Sequence, residues 1–371
     1  MRNLSRFAPR ILVAAAVGAA LAAVPATGAM ANPACGSTIL ASVTLTADLN
    51  CAGDALIVGA PGITVDLGGY SIIGAGIGTA ITSSSAADVT VTNGVIRGFA
   101  QGFYGFSSPR QTLTSLRISD GIAITFRNSP DSKALRTTVT GAQFVVRQST
   151  GVMLSNDTLD HAQLTVFESN AMRMSLSALT DGSVSVNESD TVKLTTSSFL
   201  RNPISYGTVS RNMLIQGNTI KGADEGVRIF APSTGGQILG NTFTGNTIGV
   251  RATLSDVAPV SGTSISGNTF NANTAAGLLF EVSAYTAGTA TVTGNSFIAN
   301  GGGTKVYDRL GRLLADGAHF ATVPGAAVTV GYNLTQDNAR YGIFADPGTV
   351  IDGAGNDSAG DPLGCTGVVC L

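Results

Sequence analysis

The sequence predicts an all-β fold in which short parallel strands stack as the coils of a solenoid. A four-residue phrase recurs as GNTI, GNTF, GNTF and GNSF, beginning at residues 217, 240, 267 and 294. Self-similarity at a period of roughly 20 to 50 residues is typical of repeat architectures. Between the repeats, apolar and polar residues alternate over short runs, as they do in half-buried strands, and no helical pattern separates these runs. About 12 such units would fill the chain.

The composition agrees with short strands and many turns. Charged residues make up only 12% of the chain, Gly occurs 47 times in 371 residues, and Trp is absent. The abundant Thr, Val and Ile favour strands, and Gly favours tight turns. The formal net charge of −2 gives no support to nucleic-acid binding, which requires a basic face.

The first 31 residues are typical of a signal peptide. Arg2, Arg6 and Arg10 form a basic start, an uncharged apolar run follows, and Ala29 and Ala31 are small residues at the positions that a signal peptidase reads. The apolar run is short for a membrane span. We therefore expect a secreted, periplasmic or cell-surface protein with no membrane span.

Four cysteines lie in two pairs near the ends of the chain, Cys35 with Cys51 and Cys365 with Cys370. An even number of cysteines in an exported protein indicates disulfides. We expect one local bridge at each end. A metal site made of all four is disfavoured because the sequence has no CxxC spacing.

The ends of a solenoid must be covered, because an open coil exposes apolar side chains and strand edges. We expect an N-terminal cap at residues 32–54, a β-solenoid over 55–371 and a C-terminal cap at 357–371. The repeat lengthens near residues 301–325, which predicts an insertion, either a short helix or a hairpin, that leaves the rod. His319 is expected to lie on its surface.

One polar position recurs in every unit and predicts a corner of the coil. Asn218, Asn241, Asn268 and Asn295 define it, and similarity extends it to Asn333, Asn356, Ser197, Ser177, Asn156, Thr137, Ser115 and Asn93. Equivalent residues of stacked parallel coils lie about 4.8 Å apart. An inward Asn at a bend can therefore bond to the Asn above and below it and to free backbone groups.

Two stretches carry a resemblance to a known family. ITVDLGGYSIIG at residues 63–74 and VTVTNGVIRG at residues 89–98 resemble the opening coils of right-handed parallel β-helix proteins of the pectin-lyase-like superfamily. The repeated GN[TS][IF] resembles the β-helix repeat of that superfamily. The resemblance implies a single-stranded right-handed parallel β-helix with disulfide-stapled ends, expected to be a monomer. The scaffold hosts lyases, hydrolases, epimerases and adhesins, so it does not imply one function.

The catalytic motifs of this superfamily are incomplete. The polygalacturonase type carries N-x-D, D-D, G-H-G and R-I-K, and only KGADEGVRI at residues 221–229 faintly resembles its D-D segment. The D-P-H-D motif of the alginate-epimerase type is also absent. Whether the protein is an enzyme is therefore open.

Repeat spacing brings one group of chemically useful residues together. Asp160, Asp181 and Arg201 each follow the recurring corner position by four residues, and His161 adjoins Asp160. Neighbouring carboxylates could share a proton, act as a glycosidase pair or bind Ca²⁺. These four are the candidate catalytic residues. Residues of this kind are also common at surface turns for conformational reasons alone.

Four basic residues are candidate ligand-binding residues. Arg173 and Lys193 precede the corner by four residues, and Arg228 and Arg251 share one strand position. Basic side chains near the carboxylates would suit an acidic sugar. In the simpler interpretation, Arg228 and Arg251 form a ladder of surface charges and bind no ligand.

Two functions remain open. The first is an exported β-helix that presents a polar face to a polysaccharide or a cell-surface partner. The second is a polysaccharide lyase or glycoside hydrolase that acts on an acidic polysaccharide. No resident cofactor is expected, with Ca²⁺ the ion that the carboxylates could take. Copper delivery is disfavoured, because copper requires clustered His, Met or Cys and the two His are far apart.

Overall fold

A computed structural model describes residues 32–230, 232–253, 260–281, 289–322 and 327–371. The predicted signal peptide lies outside these residues. The described chain is an all-β parallel solenoid of about 14 turns. The count exceeds the expected 12 because residues 37–50 and 357–366 also form strands of the stack. No helix in these ranges is long and apolar enough to cross a membrane.

Each coil passes through three strand layers, which we call sheet A, face B and face C. Sheet A has 15 parallel strands. They are Ser37–Ile39, Leu56–Val58, Thr79–Ser84, Gln101–Phe106, Ile122–Arg127, Gln143–Arg147, Gln163–Phe167, Ser183–Asn187, Ile204–Gly207, Glu225–Phe230, Ile248–Thr253, Ala276–Glu281, Asp316–Ala321, Ile343–Ala345 and Cys365–Thr366.

Faces B and C follow sheet A in every coil. Face B consists of Val43–Thr44, Thr64–Asp66, Lys133–Leu135, Met153–Ser155, Arg173–Ser175, Lys193–Thr195, Leu214–Gln216, Gln237–Leu239, Thr263–Ser266, Thr289–Thr293, Ala327–Gly331 and Ile351–Asp352. Face C consists of Leu49–Asn50, Ser71–Ile73, Thr138–Thr140, Thr158–Asp160, Ala178–Thr180, Ser198–Leu200, Thr219–Lys221, Thr242–Thr244, Thr269–Asn271, Ser296–Ile298, Leu334–Gln336 and Asp357–Ala359. Thr90–Arg97 and Thr112–Ser119 run through both faces.

Two smaller pairings lie outside these layers. Ser210–Arg211, Ser233–Thr234 and Val260–Ser261 form a short parallel sheet at the turn after sheet A. Val306–Tyr307 and Leu313–Leu314 form an antiparallel hairpin. The lengthened repeat therefore contains a hairpin, followed by a regular strand of sheet A.

The core is a column of apolar side chains along the axis of the rod. Alternate residues of each strand point inward, so Phe243, Phe270 and Phe297 of face C stack with ring centroids 4.8 Å apart at each step. Phe103, Phe126 and Phe144 form the corresponding edge-to-face row behind sheet A. The inward residues are almost completely buried, and their burial is the main favourable term for the stack.

The corner between faces B and C holds a continuous ladder of buried polar side chains. At each step the backbone N–H of one coil donates to the side-chain oxygen of the next, over 2.7 to 3.2 Å. The ladder consists of Thr137, Asp157, Ser177, Ser197, Asn218, Asn241, Asn268, Asn295, Asn333 and Asn356. Its Asn members also bond to one another, as Asn241 Nδ2 does to Asn268 Oδ1 at 3.0 Å. The predicted corner ladder is confirmed.

The predicted ladder was wrong by one residue in three coils. Asn93, Ser115 and Asn156 have φ values of 62°, 54° and 57° and occupy the left-handed position just before the corner. Asp157 takes the buried ladder position in place of Asn156. Asn is favoured at both positions for different reasons, since it tolerates positive φ and also bonds through its amide.

Both predicted disulfides are present. Cys35 is bonded to Cys51 and Cys365 to Cys370, and the described residues contain no free cysteine. One bridge tightens the first coil and the other closes the last turn. They restrict the ends of the stack, where each coil has only one neighbour.

Removing a ladder amide should destabilise the rod. Asn268→Ala leaves the backbone N–H and Nδ2 of Asn241 without their acceptor and Ile238 O without its donor. We expect a loss of about 3 kcal/mol or more in the free energy of unfolding, measured by urea denaturation. Asn271→Ala, at a half-buried position in the same coil, is the control and should change it by less than about 0.5 kcal/mol. Equal effects of the two changes would contradict the ladder.

The ladder also predicts a pH dependence of stability. Burial raises the pKa of Asp157 to about 7, against the opposing bonds from the backbone of Thr137 and Ser155. A raised carboxyl pKa means that the folded state holds the proton more tightly, so stability falls as pH rises from about 4 through 7. Asp157→Asn keeps the acceptor and supplies an N–H₂ group. We expect the variant to be more stable by about 2 to 4 kcal/mol at pH 8 and by much less at pH 4.

Chemical denaturation at the two pH values measures this difference directly. A gap between the variant and the natural chain that is the same at pH 4 and pH 8 would show that Asp157 does not titrate in this range.

Candidate functional site

A groove opens on the outer surface of sheet A in the middle of the rod. It has a volume of about 440 Å³ and is lined by Ser183, Pro203, Ser205, Asp224, Glu225, Arg228 and Phe230. These residues come from three consecutive strands of the sheet and from the turns that enter them. The groove therefore forms because the register of the coils brings these residues side by side.

Ser205 lines the groove and belongs to a column of small outward side chains, which we call the floor column. Thr165, Ser185 and Ser205 occupy equivalent positions on successive strands. One flanking column carries Gln143, Gln163 and Ser183. Both columns follow the axis of the rod and lead to the groove, which Ser183 and Ser205 line.

The other flanking column combines aromatic rings with arginines. Phe106, Arg127, Arg147 and Phe167 are in register on four successive strands. The guanidinium of Arg127 lies 5.6 Å from the ring centre of Phe106, and that of Arg147 lies 5.2 Å from the ring centre of Phe167. Sequence reasoning missed this strip, although its spacings of 21, 20 and 20 residues match the coil length and could have revealed it.

The predicted pairing of Arg228 with Arg251 is present in the structure. The two residues are register partners on sheet A and continue the floor column beyond Ser205. Arg251 bonds to Glu225 at 2.8 Å and to Glu281 at 2.9 Å. Burial acts to lower the pKa of Arg251, but the bonds to the two glutamates outweigh it and the pKa is raised. This part of the column is therefore a neutralised ion-pair network.

Arg228 is the member of this network that faces the groove. Its guanidinium lies 4.4 Å from the ring centre of Phe230 and its Nε lies 3.3 Å from Glu225. That Nε is buried without a hydrogen bond to any described residue. Glu225 therefore compensates the charge of Arg228, although poor alignment leaves this N–H without a full hydrogen bond.

The hairpin limits the groove at the C-terminal side. Leu314 packs with Ile248, Ala275 and Leu279 in a small apolar cluster on the outer side of sheet A. Leu279 lies in the same column as Arg251 but is fully buried. The open part of sheet A therefore lies on the N-terminal side of this cluster.

The prediction that His319 lies on the surface is wrong. Asp316–Ala321 is a strand of sheet A, and the imidazole of His319 is fully buried under the hairpin. Its Nδ1 lies 2.6 Å from Asp316 and its Nε2 lies 3.1 Å from Asp308. Burial raises the pKa of Asp308, but bonds from Arg312 and His319 outweigh it and the pKa is lowered. The network attaches the hairpin to the rod.

The structure brings Asp160, His161, Asp181 and Arg201 together at the edge between face C and sheet A. His161 Nδ1 lies 3.0 Å from Asp160 Oδ1, and His161 Nε2 lies 3.9 Å from Asp181 Oδ2. Arg201 forms a two-point bond with Asp181. The hydrogen bond from Arg201 is the main cause of the lowered pKa of Asp181. Asp181 and Arg201 lie two residues before Ser183 and Pro203, so this cluster adjoins the groove.

The columns of this cluster differ from the expected ones. Asp160 is the register partner of Thr180 on face C. His161, with φ of 50°, occupies the left-handed position that Asp181 and Arg201 occupy in the next two coils. The error comes from the one-residue shift at Asn156.

Arg173 and Lys193 do not join the cluster. They are register partners at the start of their strands on face B. The corners at Ser177 and Ser197 lie between them and the carboxylates. A single site that uses all six residues is therefore not supported by the geometry.

The sequence matches the model of one protein family. The family is described as periplasmic copper-binding protein (NosD), and it matches residues 62–257 and 135–311. No curated protein is similar enough in sequence to count as a relative.

Two solved structures are similar to this chain. The catalytic unit of a GH87 α-1,3-glucanase from Streptomyces thermodiastaticus is 11% identical, with a TM-score of 0.54 over 85% of this chain and 62% of that chain. A variant of the periplasmic alginate epimerase AlgG is 13% identical, with a TM-score of 0.48 over 80% and 78%. At 11% identity the likeness to the glucanase unit shows the fold alone. The chain spans less than two thirds of the glucanase unit.

The two histidines should differ in their contribution to stability. His319→Ala leaves Asp308 and Asp316 buried with one partner fewer, and we expect a loss of about 3 kcal/mol or more in the free energy of unfolding. His161→Ala changes an exposed side chain and should cost less than about 0.5 kcal/mol. Urea denaturation measures both, and hydrogen exchange at residues 306–314 should rise only in His319→Ala. Unchanged exchange there would contradict the attachment of the hairpin by His319.

Proposed function

Because the chain belongs to the family described as periplasmic copper-binding protein (NosD), and because its sheet A carries an open groove, we propose that it is an exported β-helix protein that binds a polysaccharide along sheet A. The disulfides and the periplasmic description of the family support export. The groove on sheet A supports a polysaccharide as the ligand.

The observation that carries the proposal is the periodicity of the groove. The floor column that leads to the groove carries small residues on three successive strands, Thr165, Ser185 and Ser205, about 4.8 Å apart. A polymer of similar units presents the same groups at regular intervals, so one set of contacts can be repeated along the rod.

The bordering side chains suit a carbohydrate. The amides of Gln143 and Gln163 offer donors and acceptors to hydroxyl groups. The rings of Phe106 and Phe167 offer apolar surface beside charged donors. The groove itself combines the apolar surfaces of Pro203 and Phe230 with the polar groups of Asp224, Glu225 and Arg228.

A resident copper(I) site does not fit the described residues. Copper(I) prefers thiolate and thioether ligands, and the cysteines are disulfide-bonded. Met172, Met174 and Met213 are core residues. Met153 stands apart on face B beside Arg173. We therefore assign no copper(I) chemistry to these residues.

Titration calorimetry against soluble alginate, polygalacturonate and α-1,3-glucan oligosaccharides tests the proposal. Ser205→Tyr places a ring in the groove. It should weaken the binding of whichever of these glycans the natural chain binds by about tenfold or more. Thr242→Tyr, at an exposed position on face C, is the matched control and should bind as the natural chain does. Failure to bind any of the three glycans, or equal effects of the two tyrosines, would overturn the proposal.

The same glycans separate binding from catalysis. The cluster of Asp160, His161, Asp181 and Arg201 beside the groove is the arrangement that favours a lyase or hydrolase. Release of reducing ends or unsaturated uronates by the natural chain, lost in Asp181→Ala without loss of folding, would establish the enzyme. Binding with no released products would leave the non-catalytic function.

A further inference from the structure

The exposed cluster at the edge of sheet A is built from three consecutive left-handed turns. His161, Asp181 and Arg201 have φ values of 50°, 52° and 48° at equivalent positions of successive coils. The backbone ladder holds them in place, with His161 N donating to Thr180 O over 2.8 Å and Asp181 N to Leu200 O over 3.0 Å. The side chains therefore project from a rigid edge.

The imidazole has the orientation of a metal ligand. Metal-bound histidines usually donate their second ring N–H to a carboxylate, which selects the tautomer. Asp160 Oδ1 lies 3.0 Å from Nδ1 of His161, so a proton on Nδ1 leaves the lone pair of Nε2 free. Nε2 lies on the side of Asp181, 3.9 Å from its Oδ2.

We propose that His161 and Asp181, supported by Asp160, bind a divalent transition-metal ion. Metal–nitrogen and metal–oxygen bonds are about 2.0 to 2.2 Å long, so two donors on one ion lie no more than about 4.2 Å apart. The separation of 3.9 Å satisfies this limit. One ligand atom from each of the three residues lies within 4.8 Å of the others, so Asp160 lies beside the ion while it holds Nδ1 of His161.

The donor set selects the class of ion. An imidazole nitrogen with carboxylate oxygens suits Cu²⁺ and Zn²⁺. Ca²⁺ requires six to eight oxygen ligands, which this edge does not supply. The inference therefore departs from the sequence-based expectation that Ca²⁺ is the ion to consider here.

Arg201 acts as a competitor for the site. Its Nη2 lies 2.7 Å from Asp181 Oδ2, the oxygen that faces His161. Its side chain is 54% exposed, so it can move into solvent when an ion binds. Removing this positive charge should strengthen metal binding, whereas a merely structural ion pair predicts no such effect.

The rod contains a matched pair that lacks the histidine. Asp88 and Arg110 also occupy left-handed positions, with φ values of 59° and 57°. Arg110 bonds to both oxygens of Asp88 at 2.6 and 2.7 Å. A second carboxylate, Asp131, lies in the next left-handed turn beside Arg110, but no imidazole is present. Asp88–Arg110 is therefore an internal control for the role of the histidine.

The experiment uses the tag-free full chain with Cu²⁺ and Zn²⁺ as probes. Titration calorimetry gives the affinity for each ion, and electron paramagnetic resonance of the Cu²⁺ complex reports whether an imidazole nitrogen is bound. We expect one site per chain with imidazole coupling. His161→Ala should abolish both the binding and the coupling.

Two arginine variants test whether the ion binds beside Asp181. Arg201→Gln should tighten binding by about fivefold, because it removes one charge close to the ion in a solvated site. Arg110→Gln should leave binding unchanged. The proposal is overturned if His161→Ala still binds one ion with imidazole coupling, if Arg201→Gln does not tighten binding, or if Arg110→Gln creates a second site. Melting temperatures confirm that each variant is folded.

Discussion

The buried polar ladder at the corner between faces B and C is the constraint on which the structure depends. A sharp bend leaves a backbone N–H that cannot pair within its own coil. The side-chain oxygen of the following coil accepts this hydrogen bond at every step from Thr137 to Asn356. Because a buried unpaired N–H is costly, each coil must lie in one register on the next. That register sets every outward column.

A second ladder shows where this constraint is relaxed. Between face C and sheet A, the backbone N–H of Ala223 donates to Asn246, and Asn246 donates in turn to Asn273. Asn202 lies one coil earlier, and its buried amide bonds to no described residue. Gly182 precedes it in the column and Ala223 follows it, and neither offers a side-chain acceptor. The groove opens beside this break, where Asp224 and Glu225 lengthen the turn.

Most of the fold could be predicted from the sequence because a solenoid repeats its local rules. The recurring GN[TS][IF] contains the left-handed turn, the ladder residue and an inward apolar residue in one phrase. The three incorrect assignments, Asn93, Ser115 and Asn156, each mistook the left-handed turn residue for the corner position that follows it. In the coil of Asn156, Asp157 occupies that corner. Local preference for Asn cannot distinguish two adjacent positions that both favour it.

The candidate site was predicted only in part, since its geometry depends on contacts between distant residues. Repeat spacing brought Asp181 and Arg201 together because they share a column. It could not show that Arg173 lies across a corner, since two faces of one coil have the same spacing. Burial of His319 was also hidden, because it follows from the return of the hairpin onto sheet A.

The ion pairs are distributed unevenly along sheet A, so its two ends differ in charge. Arg127 and Arg147 are exposed and form no ion pair with the described residues. Arg228 and Arg251, farther along the sheet, are compensated by Glu225 and Glu281. The N-terminal part of the surface therefore attracts anionic groups more strongly than the groove does. An elongated ligand with carboxylates on one part would bind in one orientation, because reversing it would move those carboxylates toward Glu225.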